Sequence, residues 1–286
     1  MQRELICKGS TGDVFKAMDG SRIVAIKMLD SRRASRMLTS VDATFHREVR
    51  ALKAVSHRNI ISLISSDQVS PSEFSIVMSY CSGGSLFQLL YKRGDFSLTI
   101  KQKKKIFSDI LNAISHLHQR NNPIIHGDIK SLNLLFMSPV TSEDAVPWVK
   151  LCDFGSSRFA EDPLVFGTLT VGTVQWMAPE VLSGSPPDEA SDIYSVGMIF
   201  YEVCSRKIPF VNFQENVVSA KVISGDRPEI SIQILKRDGL GALAGVIISC
   251  WSADPSSRPD ITELISRLNG VFISSVLSLE GRMSIP

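Results

Sequence analysis

The run from Ile124 to Gly155 constrains this chain more than any other stretch, because it alternates short apolar segments with polar residues that folding alone does not demand. It reads I-I-H-G-D-I-K-S-L-N-L-L-F and then, past a polar, proline-bounded insertion from Ser138 to Pro147, V-K-L-C-D-F-G. The apolar residues (Ile124 and Ile125, Leu134 to Phe136, Val149 and Leu151) predict short buried strands, with the polar clusters at strand ends, where loops carry chemistry. Asp128 and Lys130 are two apart and can face the same way. Asn133 and Asp153 offer oxygens of the kind Mg²⁺ takes, one or two from protein with phosphates and water completing the shell. That set points to phosphoryl transfer.

Length and charge narrow the remaining choices. The 286 residues, 44% of them hydrophobic, suffice for one large domain or two lobes sharing a cleft. Lys+Arg 31 against Asp+Glu 29 leaves net +2, which gives no electrostatic support to a nucleic-acid partner. Five cysteines without C-x-x-C spacing fit reduced thiols in a cytoplasmic protein. The start, M-Q-R-E-L-I-C-K-G, lacks a signal-peptide core, and the most apolar segment, Gly239 to Trp251, is too short for a membrane span.

Taken in order, Glu4 to Met18 alternates around C-K-G-S-T-G-D-V, a hairpin whose glycines let backbone approach a ligand closely. No G-x-x-x-x-G-K-[ST] loop is present. In Arg22 to Leu29, period two sets Ala25 and Lys27 on one face and Val24 and Ile26 on the other. Ser40 to Val55 predicts a helix with Phe45, Val49 and Leu52 inward and Glu48 on or beside that face, where a half-buried carboxylate needs a cation. Strands follow within His57 to Ser66 and Phe74 to Tyr80, and Y-C-S-G-G-S-L leaves the sheet. Thr99 to Gln119 predicts a helix buried along Ile106, Ile110, Ile114 and Leu117, with Lys101 and Lys103 to Lys105 as a solvated end.

These motifs together resemble the eukaryotic protein kinases. Gly9, Gly12 and Val14 match G-x-G-x-x-G-x-V, with Cys7 where the first glycine belongs; V-A-I-K ends on Lys27; H-G-D, D-I-K-S-x-N, D-F-G and A-P-E follow in order. G-T-V-Q-W-M-A-P-E from Gly172 to Glu180, D-I-Y-S-V-G from Asp192 and C-W-x-x-D-P-x-x-R-P from Cys250 are similar to the tyrosine-kinase-like group, which includes Raf, mixed-lineage and MAP kinase kinase kinase enzymes. The resemblance implies an α+β bilobal fold, a small antiparallel β lobe with one helix and a large helical lobe. It sets the domain at 1–272 (small lobe 1–78, hinge 79–82, large lobe 83–272) and leaves 273–286 as a tail.

The same resemblance implies ATP and Mg²⁺ as cofactors and serine or threonine hydroxyls of proteins as acceptors. Asp128, Lys130 and Asn133 become catalytic residues, and Asn133 and Asp153 metal ligands. Gly9, Gly12, Val14, Ala25, Lys27, Glu48, Met78 as gatekeeper, Ser79, Cys81, Leu135 and Asp153 border the nucleotide, with Lys27 paired to Glu48. Cys152 borders the same pocket, and Glu180 with Arg258 forms a structural ion pair. D-I-K-S-x-N favours serine/threonine over tyrosine. Cys7 and Gly127 keep a pseudokinase scaffold open as an alternative. Because Gly127 replaces the arginine that elsewhere pairs with a phosphorylated activation segment, and Arg158 lies on that segment itself, Thr168 and Thr170 are expected to be dispensable as switches. Activity would then depend on Glu48 closing onto Lys27 or on a regulatory partner.

Overall fold

The structure is a computed structural model that describes residues 3–9, 12–31, 41–92, 97–163, 174–231 and 240–283, with backbone alone from 274 onward. The first lobe is an antiparallel sheet in the order β1-β2-β3-β5-β4, formed by β1 (Arg3–Lys8), β2 (Asp13–Asp19), β3 (Arg22–Asp30), β4 (Leu63–Ser70) and β5 (Glu73–Ser79). Alternation sorts its faces: Ala17, Val24 and Ile26 bury on one side. On the other side lies helix α1 (Val41–Ala54), inserted through Phe45, Val49 and Leu52, with the Phe45 ring 4.7 Å from that of Phe74.

The second lobe is mainly helical. Helix α2 (Leu86–Tyr91) opens with Ser85 and Gln88 capping each other, and α3 (Ile100–His118) repeats the device with Thr99 and Gln102. Gln102 also donates to the carbonyls of Ser142 and Ala145, which pins the expected surface insertion against the helix start. The lysines of that first turn are not uniformly solvated. Lys103 is buried, and Lys105 lies 2.5 Å from the buried carboxylate of Asp109. A buried acid one turn away overrides the surface reading of the charge run.

The apolar residues around the stretch from Ile124 to Gly155 form three short strands as predicted, β6 (Ile124–Ile125), β7 (Leu134–Phe136) and β8 (Val149–Leu151); β7 pairs with β8, and β6 with a fourth strand the sequence does not announce, β9 (Arg158–Phe159). Beyond them come α4 (Pro179–Leu182), α5 (Glu189–Ser205), α6 (Glu215–Ile223), α7 (Leu243–Cys250) and α8 (Ile261–Met283). Helix α5 is buried continuously from Ser191 to Cys204 and packs Phe200 against Phe107 of α3 at 4.3 Å, so it forms the axis of this lobe. Helix α8 runs through the expected boundary at 272 without a break. No helix among the described residues is long and apolar enough to cross a membrane, and the five cysteines are free thiols.

Glu180 and Arg258, distant in sequence, form a bidentate pair at 2.6 and 2.8 Å, and the guanidinium also donates to the carbonyls of Ala190 and Ser252. The arginine side chain has no solvent exposure, so removing its partner strands a buried charge. Glu180→Ala is expected to cost about 3–5 kcal/mol in urea unfolding, whereas Glu180→Leu combined with Arg258→Met costs much less than the two single changes summed. A single-mutant cost below about 1 kcal/mol would mean the pair behaves as a surface bridge.

Candidate active site

Lys27 is where sheet, helix and second lobe meet. Strand alternation turns it to the same side as Ala25, and its Nζ lies 2.7 Å from Glu48 Oε2 and 2.7 Å from Asp153 Oδ1. Glu48 reaches it because Phe45, Val49 and Leu52 fix the rotation of α1. Burial opposes the ammonium, yet two adjacent carboxylates outweigh it and Lys27 is held more firmly protonated than usual. Burial also opposes ionisation of Asp153, but Lys27 draws its pKa down to about 2. For Glu48, burial prevails over the Lys27 charge and raises the carboxyl, whose Oε1 is buried without a partner. Asp153 holds a left-handed backbone (φ 65°) for a residue with a Cβ, a strain met at functional sites. Phe154 anchors it, fully buried and edge-on to His126 at 4.9 Å, and Arg47 of α1 donates to Gly155 O at 3.1 Å.

The catalytic loop brings Asp128, Lys130 and Asn133 together. Asp128 Oδ2 accepts from Lys130 Nζ at 2.7 Å and from Asn133 Nδ2 at 3.0 Å, and the same amide donates to Asp128 O. Burial raises the Asp128 carboxyl, Lys130 opposes that rise, and the Asp153 charge adds to it, a direction that suits a proton acceptor. Beneath the loop lie two acids that sequence reasoning missed. Asp192 accepts from the peptide N–H groups of His126 and Gly127 at 2.8 and 2.9 Å and bonds His118 Nε2 at 2.9 Å. Glu202 accepts from Tyr91, Ser131 and Trp176, and burial pushes its carboxyl up to about 7 against those hydrogen bonds. The available signal was two carboxylates inside the otherwise apolar run of α5.

In the first lobe, β1 and β2 form the expected hairpin, with exposed Cys7 opposite Val14 and the ladder irregular between Leu5 and Cys7. Ser10 and Thr11 at the tip are outside the described residues. Gly9 N donates to Gly12 O at 3.0 Å, and a Cβ on Gly12 would lie 2.3 Å from Met28 O, so the turn folds tightly against β3. Val14 stands opposite Lys27, and Ala25 opposite buried Met78. The Ser79 side chain turns away to accept from Ser62 N, whereas the peptide groups of Cys81 take no partner among the described residues and stay available to a base edge. Leu135, in β7 between buried neighbours, is half-buried. Burial raises the Cys152 thiol well above its ordinary value and that of Cys81 to about 11.

The same residues fit a magnesium–phosphate group. Asn133 commits Nδ2 to Asp128, which leaves its Oδ1 for a cation, and Asp153 commits only Oδ1 to Lys27. No cluster of three or more His, Cys, Asp or Glu side chains among the described residues could enclose a metal. A site with so few protein oxygens suits a hard cation completed by phosphate and water.

The sequence matches the protein kinase domain family over residues 1–268. The chain belongs to the protein kinase family. Serine/threonine-protein kinase CTR1 of Arabidopsis thaliana is 34% identical over 278 residues, covering 96% of this chain and 32% of that protein. Serine/threonine-protein kinase TNNI3K of Rattus norvegicus is 33% identical over 272 residues (93% and 30%), and Dual specificity protein kinase shkC of Dictyostelium discoideum 32% over 284 (98% and 53%). This kinase domain thus spans about a third to a half of these relatives' length.

Within this kinase domain, the H-G-D departure has a backbone explanation. Gly127 sits at φ 71°, and a Cβ there would meet Ser156 O at 3.1 Å and Pro187 at 3.5 Å. Arg158 proves better anchored than its place in the sequence suggests. It stands opposite Ile125 in the ladder beside the catalytic loop, and its guanidinium donates to the carbonyls of Pro187, Ala160 and Asp162. Thr168, Thr170 and Gly172 lie outside the described residues. Gly127→Ala is expected to lower unfolding free energy by about 1–2 kcal/mol, the cost of a left-handed backbone in a residue with a Cβ. An unchanged denaturant midpoint would contradict that assignment.

Proposed function

We propose that this kinase domain transfers the γ-phosphate of ATP to serine and threonine hydroxyls of proteins. The observation that carries the reading is the Asp128 carboxylate, raised above its ordinary value and oriented by Lys130 and Asn133 beside the Lys27–Glu48–Asp153 cluster. As the acceptor oxygen bonds to the γ-phosphorus, its proton passes to Asp128 and the bond to the bridging oxygen breaks, releasing ADP. Lys130 neutralises charge on the γ-phosphoryl group and Lys27 holds the α- and β-phosphates. Magnesium, held by Asn133 and Asp153, would supply charge neutralisation across the phosphates. Gly9, Gly12, Val14, Ala25, Met78, Leu135 and the peptide groups of Ser79 and Cys81 form the nucleotide wall.

The serine/threonine preference rests on D-I-K-S-x-N and on relatives named for that activity; the dual-specificity name of one relative makes tyrosine the acceptor to check alongside. The free thiols support a cytoplasmic setting. The domain extends over 1–272 with its hinge at 79–82. A pseudokinase reading loses the support of Gly127, whose identity follows from its backbone angle.

The test compares wild-type, Asp128→Asn and Asp153→Asn proteins on an arrayed peptide library with Mg·ATP, alongside calorimetric nucleotide binding. Asp128→Asn is expected to lose about 10²–10⁴-fold in transfer while binding Mg·ATP normally, and Asp153→Asn to lose both. Full transfer by Asp128→Asn would remove the proposed base, and labelling confined to tyrosine would overturn the acceptor class.

A further inference from the structure

Away from the nucleotide wall, helix α3 carries a second, polar stripe. Asn112, Ser115 and His116 lie on one side of α3, Gln119 caps its end and Arg120 follows the cap; with His57 from the connection between α1 and β4 they line an open cavity of about 450 Å³. The imidazoles of His57 and His116 stack at 4.9 Å with 16° between planes. Among the described residues no carboxylate lines this cavity.

The hydrogen bonding there is incomplete. Ser115 donates to Gln119 Oε1, and Gln119 Nε2 to Thr262, so these two are satisfied. His57 Nδ1 accepts from Asn59 N–H, which leaves its proton on Nε2. His116 Nε2 and Arg120 Nε are buried with no partner. Arg120 Nε is always a donor, and a buried donor without an acceptor costs free energy that a bound acceptor recovers.

We propose that this cavity binds a phosphate-class oxyanion, with Arg120, His116 and His57 as its donors.

The electrostatics run the same way. Burial, then His116, Lys150 and Arg58, hold His57 below its ordinary pKa, and burial and Arg120 do the same to His116. Asp109 is the acid that favours a charged His57, and its two oxygens are engaged by Lys105 and by Val149 N–H. A phosphate between these groups reverses the balance, so its binding takes up protons and strengthens as pH falls through the imidazole pKa values. A tetrahedral anion accepts from several donors at once, and a guanidinium and two imidazoles line this one cavity. His57 lies three residues past the end of α1, the helix that delivers Glu48, so the occupant would join α3 to the exit of that helix.

Imidazole NMR of the whole chain, titrated with inorganic phosphate and, separately, O-phosphoserine against chloride at equal ionic strength, tests the site. Phosphate is expected to move the His57 and His116 resonances and raise both pKa values, and chloride to leave them. Arg120→Gln should weaken the effect about tenfold or more. Asn112→Asp, on an exposed position, provides the second variant by placing a carboxylate at the lining: it should abolish the phosphate response and raise the imidazole pKa values unaided. Response to O-phosphoserine as well would identify a side-chain-borne phosphate as an admissible occupant, and response to inorganic phosphate alone a free ion. Equal shifts with chloride, or a phosphate response undiminished in both Arg120→Gln and Asn112→Asp, would overturn the proposal.

Discussion

One ammonium group shared by two carboxylates fixes the geometry of this site. Lys27 comes from the sheet, Glu48 from α1 and Asp153 from the second lobe, and both carboxylates lie 2.7 Å from that single nitrogen. Three buried charges summing to minus one are costly unless held together, and losing Lys27 leaves two buried carboxylates facing each other without a cation. The cluster is therefore stable only when the sheet, the helix and the D-F-G segment occupy this relative arrangement, and the excess negative charge awaits a cation. In the proposed reading, a divalent cation at Asp153 would offset that charge.

Helix α5 provides the corresponding constraint from below. Asp192 receives two successive peptide N–H groups of the catalytic loop, and Glu202 receives side chains from α2, from the loop and from the segment preceding α4. Both carboxylates belong to a helix with no solvent-facing side from Ser191 to Cys204. The loop that holds Asp128 is thus suspended from the most deeply buried element of the lobe, and the left-handed turn at Gly127 is the conformation that lets both N–H groups reach Asp192.

Much of this was legible from periodicity. Period two in β3 and the 3.6-residue repeat of α1 determine faces, and faces alone bring Lys27 and Glu48 into register; the apolar pairs around the stretch from Ile124 to Gly155 likewise announced β6, β7 and β8. Where periodicity loses meaning, the reading stopped. A helix buried all round has no polar face, so Asp192 and Glu202 carried no sign of inward or outward orientation. The lysine run of α3 looked solvated because its partner, Asp109, is identified only by burial. Gly127 read as a missing arginine, since the chain's local sequence does not reveal that its backbone is left-handed. Arg158 read as part of a separate segment because a two-residue ladder is too short to leave a pattern.

The central claim, that one nitrogen unites the three elements, is tested most directly by a double-mutant cycle on Lys27→Met and Glu48→Gln, read as kcat/KM for peptide phosphorylation. The predicted result is strong coupling: each single change disables transfer, and the double mutant loses little beyond the worse of the two. Independent, additive losses would contradict the claim, because they would mean that Glu48 acts elsewhere than through Lys27.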